Sequence, residues 1–151
     1  MRRFGGAIAL LALLAPAAGR GQAGPVSQDF CQALNRVVQV AQTDGDFAHL
    51  ERSRAAPPHF GFRHGCRAFA ATERSPAAWW CHQSLAPPEL GLDSLAHRTA
   101  ACLPSAVRTN GRYGDEAIFT LPRARITIEE SGGPRAHVGL IATFRVEAIR
   151  P

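Results

Sequence analysis

Residues 138–148 read Val-Gly-Leu-Ile-Ala-Thr-Phe-Arg-Val-Glu-Ala, and this stretch decides the fold class. Val138, Leu140, Ala142, Phe144 and Val146 occupy every second position. Side chains on a strand alternate between faces, so the spacing predicts a strand packed on one side and wet on the other. Upstream, Ala124, Ile126 and Ile128 alternate with Arg125, Thr127 and Glu129, and Ser131-Gly132-Gly133-Pro134 supplies turn chemistry between the two runs. Ala117 to Leu121 predicts a further strand after the loop from Asn110 to Asp115. The C-terminal third is therefore β, and links of hairpin length make its pairing antiparallel.

The N-terminal half predicts two more strands. Over Phe60 to Ala70, Phe60, Phe62, His64, Cys66, Ala68 and Ala70 share one parity, with Arg63, Arg67 and Phe69 on the other. Ala77 to Leu85, around Trp79-Trp80-Cys81, predicts the second strand after the polar link Thr72 to Pro76. Helical spacing appears twice. Phe30, Leu34, Val37, Val38 and Ala41 form one stripe over Ser27 to Thr43, with Ser27 or Asp29 as cap. A second helical stretch follows Pro87-Pro88-Glu89 and runs to Leu103, where Pro104 stops it. Leu92, Leu95, Thr99, Cys102 and Leu103 lie on its inner side. The order α-β-β-α-β-β-β predicts an α+β fold: an antiparallel sheet of about four to five strands with both helices packed on one face.

The N-terminus has the form of an export signal. Met1-Arg2-Arg3 is followed by an apolar run from Ala7 to Ala15, and Ala15-Pro16-Ala17 or Gly21-Gln22-Ala23 offers a cleavage site. The run is shorter than the ~20 residues a membrane-spanning helix needs. Residues 1–23 are thus expected to be a signal peptide and residues 24–151 a single exported domain, periplasmic or secreted, with no membrane association after cleavage. The chain carries 17 basic and 12 acidic residues, every basic one an arginine. Three of those arginines and no acid fall within residues 1–23, which leaves 14 basic against 12 acidic, or +2. A nucleic-acid binder carries a clustered basic excess, so none is expected as a partner.

The four cysteines, Cys31, Cys66, Cys81 and Cys102, are an even set in an exported chain and predict two disulfides. Tying each helix to the sheet gives Cys31 with Cys66 and Cys81 with Cys102. The rival pairing joins Cys66 to Cys81 across a hairpin. No Cys-x-x-Cys occurs, and the histidines at 49, 59 and 64 lack metal-site spacing, so no metal is expected. His64, on the apolar parity, is read as a core histidine. Glu129 and Glu130 are adjacent on a strand and face opposite ways, so they make no catalytic carboxylate pair. Asp44-Gly45-Asp46 lacks the later ligands of a calcium loop. No Gly-x-Ser-x-Gly elbow, dinucleotide fingerprint or phosphate loop is present, and no cofactor is expected.

Trp79-Trp80 is the feature that most resembles a site. Trp79 shares parity with Cys81 and is expected in the core, which leaves Trp80 on the open face. Arg63, Arg67, Arg125 and Arg145 fall on that face by the same parity. An exposed tryptophan among arginines has the composition of an interaction hot spot. The plainer alternative is a solvated face on which Trp80 stacks against an arginine, with Glu129 and Glu147 diluting the charge. These residues point to a small, disulfide-stabilised binding module for a protein or small-molecule partner, an inhibitor-like role being one form of it. The alternative is a periplasmic enzyme with its site in loops 47–59 and 109–116, built around His49, His59 or Asp115.

Overall fold

The structure, a computed structural model, describes residues 28–133 and 138–150; the expected signal peptide and Ser27 lie outside that range. Helix α1 (Gln28–Thr43) buries the predicted stripe: Leu34 and Val37 are fully enclosed, with Phe30, Val38 and Ala41 nearly so. The helix ends where Gly45 takes a φ of 70° and donates its N–H to the Val40 carbonyl at 2.9 Å. Glycine is the residue that adopts this left-handed C-terminal turn at least cost. Asp44 and Asp46 then accept the backbone N–H groups of Asp46 and Ala48, which leads into a short helix α2 (Ala48–Arg52). Five residues are too few for a helical period to show in sequence.

The chain then departs from the predicted strand over Phe60 to Ala70. Phe60 and Phe62 are buried, but through turns: Phe60, Gly61 and Gly65 all have positive φ. A strand cannot pass through those angles, so strand β1 covers only Cys66–Phe69. Two corrections follow. His64 is exposed in these turns instead of buried as a core histidine, and Arg63 is not on a strand face. Strand β2 (Ala78–Gln83) comes next, then a 3₁₀ turn (Pro88–Leu90) and helix α3 (Leu92–Cys102). The second predicted helix is thus split at Gly91, and its inner side is Leu95, Ala96 and Thr99.

The fold is α+β, with a six-stranded antiparallel sheet, three helices and two disulfides among the described residues. Strands β3 (Val107–Asn110), β4 (Glu116–Leu121), β5 (Ala124–Gly133) and β6 (Val138–Ala148) complete a sheet of order β1-β2-β6-β5-β4-β3. β3 is the strand missing from the sequence reading. All four of its residues are exposed, so it has no packed face to generate an alternating pattern. β5 also runs on through the expected turn at Ser131, with Gly132 at a φ of 82° and a register shift between Ser131 and Gly133. Helices α1 and α3 cover the face that carries Trp79, Cys81, Ile126, Ile128, Phe144 and Val146, all fully buried. Glu130 ties the layers together: its Oε2 accepts the Leu92 N–H, the first of α3, at 2.6 Å. A carboxylate there satisfies an orphan donor and suits the helix dipole.

The disulfides correct the preferred pairing and bear out the rival link across the hairpin. Cys31 bonds Cys102 and Cys66 bonds Cys81, with no free cysteine among the described residues. Each bridge stays within its own layer. Cys66 and Cys81 are direct cross-strand partners with Cα atoms 4.2 Å apart, while Cys31 and Cys102 join the adjacent helices α1 and α3. The helices pack beside each other as well as on the sheet, and the sequence spacing carried no sign of that neighbourhood.

Candidate functional site on the open sheet face

The two tryptophans of β2 point to opposite sides of the sheet because successive strand residues must. Trp79 is fully buried, and its Nε1–H donates to the Pro58 carbonyl at 3.1 Å. Trp80 is 39% exposed on the other face, where no helix packs among the described residues. Strand register places two arginines beside it. Arg67 of β1 is its cross-strand partner on one side and Arg145 of β6 its partner on the other. The Phe69 ring, 44% exposed, lies 5.2 Å from the Trp80 ring, and His82 continues the row at 6.1 Å.

Arg125 and Arg145 are gathered by an acid. Glu147, almost wholly buried on this face, has its carboxylate 3.4 Å from Arg145 Nε and 4.0 Å from Arg125 Nη1. The carboxylate cancels part of the charge of both guanidinium groups without hydrogen-bonding Arg145 Nε. Arg67 has no such partner among the described residues and keeps its full charge beside the aromatic rings. Glu116 and Glu129 are cross-strand partners further along the same face, so its basic residues are Arg67, Arg145 and, on β5, Arg125.

Of the five residues read as a site, the structure brings Trp80, Arg67, Arg145 and Arg125 onto one surface. It does not bring Arg63 there. Arg63 lies in the turns before β1, where its backbone N–H donates to Gln83 Oε1 at 2.8 Å. Phe69, His82 and Glu147 complete the cluster, and their parity with Trp80 was the available signal for all three. Comparison with family models, curated proteins and solved structures finds no match. What the face can do is therefore argued from its own chemistry: planar apolar contact from two rings, with charge-assisted donors on either side.

The loops named for an alternative catalytic site are held apart. Loop 47–59 lies at the β1 edge, where Glu51 Oε1 accepts the Ala68 N–H at 2.8 Å. Loop 109–116 links β3 to β4 at the opposite edge. His49 and His59 line separate clefts, and Asp115 lines neither. No group of His, Cys, Asp and Glu able to hold a metal ion occurs among the described residues.

Proposed function

We propose that the chain is an exported binding module that engages a protein partner through the open face of its sheet. The observation that carries this reading is the Phe69–Trp80 pair, exposed between cross-strand Arg67 and Arg145 on a face where no helix packs among the described residues. Tryptophan and arginine are the residues most enriched where binding energy concentrates. A rigid ring also loses little conformational freedom on contact. The matching partner surface presents an apolar side chain for the rings and a carboxylate for Arg67. Capping a partner in this way would be inhibitor-like.

Export accords with the signal-like residues 1–23 and with the two disulfides, which suit an oxidising compartment. No helix among the described residues is long and apolar enough to cross a membrane. Intact-mass measurement of the exported product should show the loss of ~17–23 N-terminal residues.

The test of the binding role is capture of partners from a periplasmic or secreted fraction by the tagged chain, with Trp80→Ala and Arg67→Gln in parallel. A genuine anchor loses at least ~2 kcal/mol of affinity on truncation, about thirtyfold. Equal capture by the Trp80→Ala variant would remove the open face from consideration.

A further inference from the structure

The open face of the sheet is built from two unlike halves that fit each other. Strand register sets Arg67, Trp80, Arg145, Thr127, Ile118 and Thr109 in one row across the sheet. The row beside it begins at Phe69 on β1 and ends at Val107 on β3, and the row on the other side joins His82 to Glu116. Exposed apolar side chains therefore stand at both ends. Phe69 and Trp80 mark one, while the other holds Val107, 65% exposed, with half-buried Ile118 diagonal to it. Charge divides the same way. The β1–β2–β6 half carries Arg67 and Arg145 against Glu147, and the β5–β4–β3 half carries Arg125 against Glu116 and Glu129. Arg108 of β3 does not alter that balance, because its guanidinium lies over the Phe119 ring on the helix side.

We propose that the partner of this face is a second copy of the same chain, docked sheet to sheet about a two-fold axis that runs along the strands. The proposal rests on the open face being a binding surface and names what it binds. Such an axis, placed between β5 and β6, reverses the strand order of the second copy and keeps the strand direction. It lays β1 over β3, β2 over β4 and β6 over β5. Trp80 then faces Ile118 of the second copy, Phe69 faces its Val107, and Arg67 and His82 lie over the end that holds its Glu116. Packed sheets cross at about 30°. That angle moves the outermost residues about two positions along the strands and does not change which ends meet.

Charge selects this axis over its rival. A two-fold across the strands would set each half on its own copy, arginine against arginine, and like charges across an interface are costly. The rings and Arg67 call for an apolar side chain beside a carboxylate, and Ile118, Val107 and Glu116 supply both on the far half of every copy. A face of strands about 4.8 Å apart and about five residues deep buries on the order of 1,000 Å² over two copies. That is the lower end for a specific interface, so the dimer is a weak one.

Sedimentation velocity of the oxidised, exported chain from about 1 µM to about 1 mM tests the proposal. The expected result is a monomer that passes into a dimer with a Kd of about 10–100 µM. Trp80→Ala should weaken the dimer at least about tenfold. Arg67→Glu and Glu116→Arg should each do the same alone, since symmetry repeats the like-charge contact at two places. Mixing these two variants sets opposite charges together at both places and should recover the association of the original chain. Contact between opposite ends of two copies predicts that recovery, and contact between like ends does not. A chain that stays monomeric to about 1 mM overturns the proposal. So do charge variants that dimerise like the original chain, or a mixture that associates no better than its weakened components. Should a charge variant not fold, the concentration series and Trp80→Ala decide, and unchanged association of Trp80→Ala overturns the proposal equally. A monomeric chain whose Trp80→Ala variant still loses a captured partner retires the second copy alone and leaves the open face as a binding surface.

Discussion

Replacing Trp79 and Trp80 by alanine, one at a time, tests the assignment of the two sheet faces. Trp79 is fully enclosed, and a buried tryptophan hides about 200 Å² of surface. At about 25 cal/mol per Å² its removal costs about 5 kcal/mol, close to the ~3–5 kcal/mol measured for such truncations. The lost Nε1–H also strands the Pro58 carbonyl, a penalty of about 1–3 kcal/mol where water cannot replace it. The expected total for Trp79→Ala is about 4–8 kcal/mol, a large share of the ~5–15 kcal/mol that holds a domain together. Trp79→Phe keeps most of the ring and isolates the hydrogen bond, so it should cost about 1–3 kcal/mol. Trp80→Ala removes a part-exposed ring and its contact with Phe69, a loss of about 1 kcal/mol. Equilibrium urea unfolding followed by far-UV circular dichroism, with disulfides intact, measures all three. A Trp80→Ala variant less stable than Trp79→Ala would reverse the faces, and the proposed surface would be core.

Non-reducing peptide mapping should recover Cys31 linked to Cys102 and Cys66 linked to Cys81. In the chain-entropy account the 71-residue separation of the first bridge outweighs the 15 of the second. Its double alanine variant should therefore be the less stable of the two by about 1 kcal/mol in thermal unfolding. Glu130→Ala removes the acceptor of the Leu92 N–H and should destabilise by about 1 kcal/mol, with α3 amides losing hydrogen-exchange protection first. Gly45→Ala forces a Cβ into left-handed backbone and to 2.9 Å from the Ala148 Cβ, so it should cost about 2 kcal/mol or more in urea unfolding.

What could be read from residues alone follows from burial. Strands with one packed face, such as β5 and β6, write their geometry into the alternation of Ile126, Ile128, Phe144 and Val146. Trp79 and Trp80 separate by the same rule. β3 has no packed face, and its four exposed residues leave no pattern to find. Phe60 and Phe62 did produce an alternating pattern, but the positive φ angles around them fold it into turns. An apolar pair two residues apart does not distinguish a strand from a loop tucked into the core. The preferred disulfide pairing failed for a different reason: that α1 and α3 become neighbours is a property of the assembled layers, whereas the rival Cys66–Cys81 link followed from hairpin spacing and is the one formed. Arg63 was misplaced because the predicted strand began six residues early, and parity counted through a turn has no meaning.

The position of β6 sets an order on assembly. Both disulfides close within the first 102 residues, and the shorter loop, Cys66 to Cys81, is nested inside the longer. The strand that joins the two halves of the sheet is nevertheless the last to be made, since β6 lies between β2 and β5. Until it arrives β2 is an unprotected edge, and the rings of Phe30 and Phe60 lack Phe144. A chain cut short before Ala142 would carry both covalent links and still be two separate sheets. The cross-links hold together the half of the molecule made first, and its completion as one body rests on a strand that no covalent bond secures.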